Sequence, residues 1–302
     1  MSEQPKVTVV TPTLNMGAQL EGCIESVRSQ GYPHLEHIVL DACSVDGTVE
    51  LLQASSVVWR SEPDSGQSNA INKGFSMASG SILTWLNADD RLAPGAVEAV
   101  VSAFEADPSL GWVYGDLEMV SEGKRWVHRP PGAVDERTLR RGNVLPQPGA
   151  FFTVAALEAA GGIDEDFNLT MDFELWLRFV ATGVRSRYLP LVLATFFVHP
   201  ASKTGSQGAL AFAQEEALAF QKHGQPHRAA MVIDRWHWDD VVQRVLCLLE
   251  AGEYGAARNL AARELRETPL AIDRPRLFLQ LVRVAPRLAK RVTPLKRSRP
   301  PT

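Results

Sequence analysis

The chain has 302 residues, 45% of them hydrophobic, enough for one large core plus an appendage. No apolar run of about 18 residues reads as a membrane span, the opening Met1-Ser2-Glu3-Gln4-Pro5-Lys6 lacks a signal-peptide pattern, and three scattered cysteines (Cys23, Cys43, Cys247) exclude a disulfide framework, so the protein is expected in the cytoplasm. The net charge of −4 hides nine basic residues and no acid in 274–302, leaving 22 basic against 35 acidic side chains over 1–273, a poor balance for binding nucleic acid.

The first half alternates strand and helix signals, which predicts an α/β fold with helices on both faces of a sheet. Residues 6–11 read as a β-branched strand, followed by a helix with Leu20, Cys23, Ile24 and Val27 on one stripe. The next strand, 35–40, ends at Asp41; a short helix near 49–53 and a strand at 57–59 follow. Residues 67–79 read as a helix, 82–86 as a buried strand and 94–106 as a helix with Val97, Val100, Val101 and Phe104 on one face. Trp112-Val113-Tyr114 opens another strand, and prolines then loosen the pattern from 120 to 150. A short helix near 154–160, a loop over 161–170, a helix from Asp172 to about 182 and short strands within 187–198 complete this region. From Ala209 the chain becomes helical, with a helix hairpin over 239–267 that turns at Gly252-Glu253. The expected division is a domain of 1–205 and a helical extension with a basic tail over 206–302.

Acids recur where strands end or helices begin: Asp41, Asp64, the pair Asp89/Asp90 and Asp172. The pair follows the strand Ile82-Leu83-Thr84-Trp85-Leu86 directly, at the sheet edge where open α/β folds bind ligands. Adjacent carboxylates repel unless a cation joins them, and a hard divalent ion carrying phosphates is the common solution. Capping of the next helix is the plainer alternative, but a cap needs one short polar residue rather than two carboxylates ahead of Pro94. Asp46 fits helix capping better than ligand binding, and Asp64 in Ser61-Glu62-Pro63-Asp64-Ser65-Gly66 fits either a turn or a ligand site. His34 and His37 straddle a strand start and do not form a metal pair.

Several segments together resemble family 2 glycosyltransferases of the GT-A fold, a Rossmann-like mixed central sheet. They are Val7-Thr8-Val9-Val10-Thr11-Pro12-Thr13-Leu14-Asn15, Asp41-Ala42-Cys43-Ser44-Val45-Asp46-Gly47-Thr48, Ser61 to Gly66, Ala70-Ile71-Asn72-Lys73-Gly74 and Asn87-Ala88-Asp89-Asp90. Met171-Asp172-Phe173-Glu174-Leu175-Trp176-Leu177-Arg178 and His199-Pro200-Ala201-Ser202-Lys203-Thr204 continue the likeness, which spans roughly 5–205 in the family's order. The resemblance implies an inverting, metal-dependent transfer of a sugar from a UDP, GDP or dTDP donor to a glycan or lipid-linked glycan hydroxyl, in cell-surface polysaccharide synthesis. It places the nucleobase on Pro12, Thr13, Leu14 and Asp41, the nucleoside also on Asp64 and Asn72, and the ribose by Asp89. Asp90 corresponds to the ligand of Mg²⁺ or Mn²⁺, Asp172 to the general base, and His199, as a further metal ligand, and Lys203 to groups reaching the diphosphate. Two departures stand out: Ala42 replaces a second acid beside Asp41, and Met171 precedes Asp172 where a Glu is usual.

A dinucleotide-dependent oxidoreductase needs Gly-x-Gly-x-x-Gly after the first strand, where this chain has Thr11-Pro12-Thr13-Leu14-Asn15. A sugar nucleotidyltransferase would want a glycine-rich loop at the same place. A binding or scaffolding protein on a degenerate transferase domain is the alternative from another class; it would have lost Asp90 or Asp172, and both are present. Over 276–291, Arg276, Arg283, Arg287 and Arg291 share a helical face beside Leu277, Leu281, Val284 and Leu288, interrupted by Pro286. Such a stripe suits either packing on the preceding hairpin or peripheral docking at the inner face of the plasma membrane.

Overall fold

The structure is a computed structural model that describes residues 4–145, 147–199, 202–206 and 208–267. The basic stripe of 276–291 lies outside the described residues, as do Pro200 and Ala201. Two compact units divide at Gly224/Gln225.

The first unit is built on a nine-stranded sheet of order β3-β2-β1-β4-β8-β6-β9-β5, with β7 on β6. Strands β1 (Val7–Thr13), β2 (Leu35–Asp41), β3 (Val58–Ser61) and β4 (Ile82–Trp85) run parallel. Their connections are α1 (Gly17–Arg28), α2 (Thr48–Ala54) and α3 (Gln67–Met77). Every residue of β1 is buried, as a central strand covered on both faces requires. Val7 and Val9 pack with Leu20, Cys23 and Val27 of α1 and with Val97, Val100 and Phe104 of α4 (Ala96–Ala106). On the opposite face α3 comes close enough that a Cβ at Gly74 would run into Val10, so only glycine fits there.

The other half of the sheet is mixed in direction. β8 (Ala150–Thr153) runs antiparallel to both β4 and β6 (Trp112–Ser121), while β9 (Ser186–Val198) runs parallel to β6. β5 (Arg91–Leu92) closes one edge on β9. The loosened stretch of 120–150 contains elements that periodicity did not reveal: β7 (Lys124–His128) in a hairpin on β6, α5 (Glu136–Leu139), and a short 3₁₀ turn at Gln147–Gly149. The short strands expected within 187–198 form one 13-residue strand, β9. The β6–β9 register shifts between Gly115 and Leu117, a bulge in the ladder.

Helices α6 (Val154–Ala160) and α7 (Met171–Ala181) pack on the α3 side. There Trp176 of α7 stacks on Trp85 of β4 at 17° and on Trp112 of β6 at 22°, with Phe152 and Phe179 edge-on around them. The unit continues beyond residue 205 through α8 (Lys203–Ser206) and α9 (Gly208–Lys222). α9 belongs here because Phe220 packs edge-on against Phe173, Glu215 holds the segment before α7, and Lys222 pairs with Asp164 and Asp166.

The second unit contains α10 (Pro226–Glu250) and α11 (Tyr254–Glu267), joined by a turn with Gly252 at φ 79°. The N–H of Glu253 reaches back to Leu248 O, a glycine-terminated helix end that positions the hairpin turn where the sequence marks it. Among the described residues, no helix is long and apolar enough to cross a membrane.

Trp176 is fully buried, and its removal would leave a large cavity between α7 and the sheet. Trp176→Ala should lower stability by about 3–5 kcal/mol, read as a fall in the urea midpoint by far-UV circular dichroism. A loss below about 1 kcal/mol would mean that the stack does not anchor α7.

Candidate active site

Because β1 to β4 run parallel, their C-terminal ends share one edge of the sheet. Register places Thr13, Asp41 and Ser61 side by side there. Asp41 is 2% exposed; its Oδ2 accepts from Ser61 Oγ at 2.6 Å and from Ser44 N at 3.1 Å. Pro12 and Thr13 are buried and Leu14 is 54% exposed. Asn15, at φ 53°, ties the two loops through Ser44 Oγ and the N–H of Val45. Asp46 accepts from the backbone N–H groups of Thr48 and Gly17, at the starts of α2 and α1, although the cap position of α2 itself is Gly47.

Asp89 and Asp90 follow β4. The cap position of α4 is taken by Gly95 with no side-chain bond, so neither acid caps that helix. Their environments differ sharply. Asp90 is wholly buried, accepting from Phe197 N at 3.1 Å and from Asn87 Nδ2 at 3.3 Å; burial, then the charge of Asp89, push its carboxyl well above the usual range. Asp89 is partly open, and its Oδ2 stands 3.1 Å from His199 Nε2. The end of β9 and the residue after it therefore meet the acidic pair twice, through the Phe197 backbone and through the His199 ring.

Asp64 accepts from Gly66 N at 2.9 Å in the turn before α3. Gly66, at φ 132°, has no room for a Cβ against Asn168 Oδ1, so this turn and the segment before α7 are in contact. Lys203 donates to Asn168 O at 2.7 Å and lies within electrostatic reach of Asp64 and Glu215; burial pulls its ammonium below the usual range. Gln67, the first residue of α3, donates to Asn87 Oδ1 at 2.6 Å, which brings the positive end of that helix to the acidic segment. Asn72 stands apart from this group. Its amide is committed to the backbone of Ile163 and to Glu165, where it ties α3 to the loop after α6.

Asp172 lies in the first turn of α7, 8% exposed. Its Oδ2 accepts from Asn143 Nδ2 and its Oδ1 from Phe173 N, each at 2.8 Å. Burial raises its pKa to about 6 against the pull of these two bonds, with the charge of Glu216 adding to the rise. Such a carboxyl is ionised at neutral pH and is a stronger base than an exposed aspartate.

Sequence reasoning did not find Asn143, Gln67 or Glu215. Asn143 sits in the proline-broken stretch with no periodic signal. Glu215 is a half-buried acid in α9 beside buried Glu216, Ala217 and Phe220, and acids on the apolar side of a helix were the available clue. Glu215 accepts from the N–H groups of Asn168, Leu169 and Thr170 at 3.2, 2.8 and 3.0 Å, a carboxylate at the mouth of α7. Glu215→Ala should speed amide hydrogen exchange at these three residues at least tenfold while core amides of β1 stay protected. Unchanged exchange at 168–170 would show that the segment is held by other contacts.

The model for the family described as glycosyl transferase family 2 matches residues 8–154. An uncharacterised glycosyltransferase of Mycobacterium tuberculosis is 33% identical over 185 residues, covering 59% of this chain and 70% of that relative. A PGL/p-HBAD biosynthesis glycosyltransferase of Mycobacterium bovis is 29% identical over 202 residues, covering 64% and 77%. Among solved structures, the mannosyltransferase PcManGT from Pyrobaculum calidifontis, in complex with GDP-Man and Mn²⁺, aligns with a TM-score of 0.60 at 20% identity, over 95% of this chain and 81% of that one. TarS 1-349 of S. aureus, in complex with UDP-GlcNAc, aligns at 0.58 and 16% identity, over 76% and 71%. These two likenesses establish the fold, and the sequence relatives the lineage: the chain is a glycosyltransferase of family 2, with the GT-A fold.

Proposed function

We propose that this enzyme transfers a sugar from a nucleotide diphosphate donor to an acceptor hydroxyl, with inversion at the anomeric carbon, and that the acceptor is a glycan or lipid-linked glycan of cell-surface polysaccharide synthesis. The observation that carries the reading is Asp172: one buried carboxyl, pushed up to about 6 and fixed by Asn143, at the mouth of α7. A single base that takes the acceptor proton during one attack produces inversion, whereas a hydrolase needs a second opposed carboxyl.

The donor lies along the C-terminal edge of the sheet. Asp41 keeps lone pairs on Oδ1 for a nucleobase N–H, since Ser61 and Ser44 chiefly occupy Oδ2. Lys203 and the N-terminus of α3 supply positive charge for a diphosphate, with Asp64 in the same turn region. Asn72 serves this site indirectly, by holding the 163–165 loop.

Asp89 and His199 form a carboxylate and imidazole pair that fits Mg²⁺ or Mn²⁺, ions that take few protein ligands and complete their shell with phosphate oxygens and water. The raised carboxyl of Asp90 behind them is consistent with a site that favours added positive charge. This assignment exchanges the expected parts: Asp89 faces the ion, and Asp90 aligns the end of β9 through Phe197. When bound, the ion would neutralise the departing nucleotide diphosphate. PcManGT was solved with GDP-Man and Mn²⁺, which supports the same donor chemistry here.

UDP-, GDP- and dTDP-sugars screened by thermal shift should include at least one that raises the melting temperature in Mn²⁺ and not in EDTA, and Asp89→Asn should abolish that rise. A rise equal in EDTA would remove the metal from the mechanism. Asp172→Asn should lower kcat by about 10²–10⁴ with donor binding nearly unchanged. For pH dependence, the base works deprotonated, so kcat/KM should fall tenfold per unit below about pH 6. Asn143→Ala removes a bond that lowers this pKa, so the acid limb should move to higher pH; a profile that stays in place would exclude Asn143 from setting the base.

A further inference from the structure

Strands β7, β6 and β9 form a three-stranded ribbon beyond the bulge. Register puts Trp126, Met119 and Phe196 directly opposite one another, so their side chains share one face. Two residues along, on the same face, His128, Leu117 and Ala194 are opposite one another. His128 Nε2 lies 3.3 Å from Val144 O, and the preceding residue, Asn143, donates to Asp172. Leu145 O accepts from Trp176 of α7. The face carrying Trp126, Met119 and Phe196 is thus continuous with the wall that holds the base.

The row is apolar and open. Trp126 is 47% exposed, Met119 and Phe196 are half-buried, and Val198 extends the row at the next same-face position of β9. The carboxylates Glu118 and Asp116 of this region are paired with Arg125 and Arg129, leaving the row itself without an acid. Across three strands it spans about 10 Å, longer than a single ring and suited to an extended hydrocarbon. A large exposed tryptophan in line with other apolar side chains marks an interaction surface more often than chance exposure.

We infer that this row is the acceptor platform and that it receives a hydrocarbon chain attached to the acceptor, so that the reacting hydroxyl beyond the chain reaches Asp172. The inference rests on the transferase reading for the role of Asp172, and it narrows the acceptor to a lipid-linked one.

The test uses the full chain and alkyl glycosides as probes. Binding of monomeric n-octyl, phenyl and methyl β-glucosides is measured by saturation-transfer NMR on wild-type enzyme, Trp126→Ala and Trp126→Phe. Octyl glucoside should bind at least tenfold more tightly than methyl glucoside, weaken about tenfold in Trp126→Ala, and recover in Trp126→Phe. Trp126 lies on an exposed edge strand, so these variants should keep the wild-type melting temperature. Equal binding of octyl and methyl glucoside, or octyl binding that survives Trp126→Ala, overturns the platform. Phenyl glucoside binding as tightly as octyl would overturn the hydrocarbon chain in favour of a single ring. Donor hydrolysis by the wild-type enzyme is followed in parallel. If wild-type enzyme turns over no donor yet binds octyl glucoside through Trp126, the platform stands and the transferase mechanism fails.

Discussion

The stacking of Trp176 between Trp85 and Trp112 is the constraint on which the site depends. Trp85 is the last residue of β4, four residues before Asp89, and Trp176 lies one helical turn after Asp172. The indole stack therefore clamps the element that presents the acidic pair to the element that presents Asp172, the proposed base. Large aromatic surfaces packed at this density tolerate little sliding, so the separation of the two groups is set by the core rather than by loops. Loops then add only fine positioning, through Asn143 on one side and His199 on the other.

A second tier of order comes from carboxylates that hold backbone N–H groups. Glu215 gathers three backbone N–H groups ahead of α7, and Asp90 holds the Phe197 N–H. Both act as anchors for chain segments far away in sequence. For Glu215 the backbone donors offset the cost of taking its charge from water, whereas for Asp90 burial outweighs its two hydrogen bonds and its carboxyl stays well above the usual range. The arrangement also accounts for why α9, although it follows the family's recognisable segments, is part of the first compact unit.

Much of the fold was legible because the first 106 residues obey simple periodicities. A β-branched run gave β1, apolar runs leading to acids gave β2 and β4, and single apolar stripes gave α1, α3 and α4. The region from 120 to 150 was not legible, since β7 exposes four of its five residues and so lacks the alternation of a half-buried strand. Of the candidate site, the acids were visible as types at strand ends, but their division of labour was not. Nothing in Asn87-Ala88-Asp89-Asp90 says which carboxylate is sealed in; that depends on β9, more than a hundred residues later. Asn72 shows the opposite hazard, a residue in a recognisable segment whose amide is spent on a structural tie to the 163–165 loop.

The register shift between β6 and β9 carries a consequence for how the protein can change. β9 advances from Leu189 to Ala194 while β6 advances only from Gly115 to Leu117, so the extra residues lie in β9. Because side chains alternate with period two, deleting one residue from that stretch of β9 would move every later residue by one place and set Phe197, instead of Phe196, opposite Met119. Side-chain chemistry beside the β6–β7 hairpin could then be exchanged wholesale by changing the length of one strand by one residue, with no substitution in the hairpin and none in the sheet's buried core.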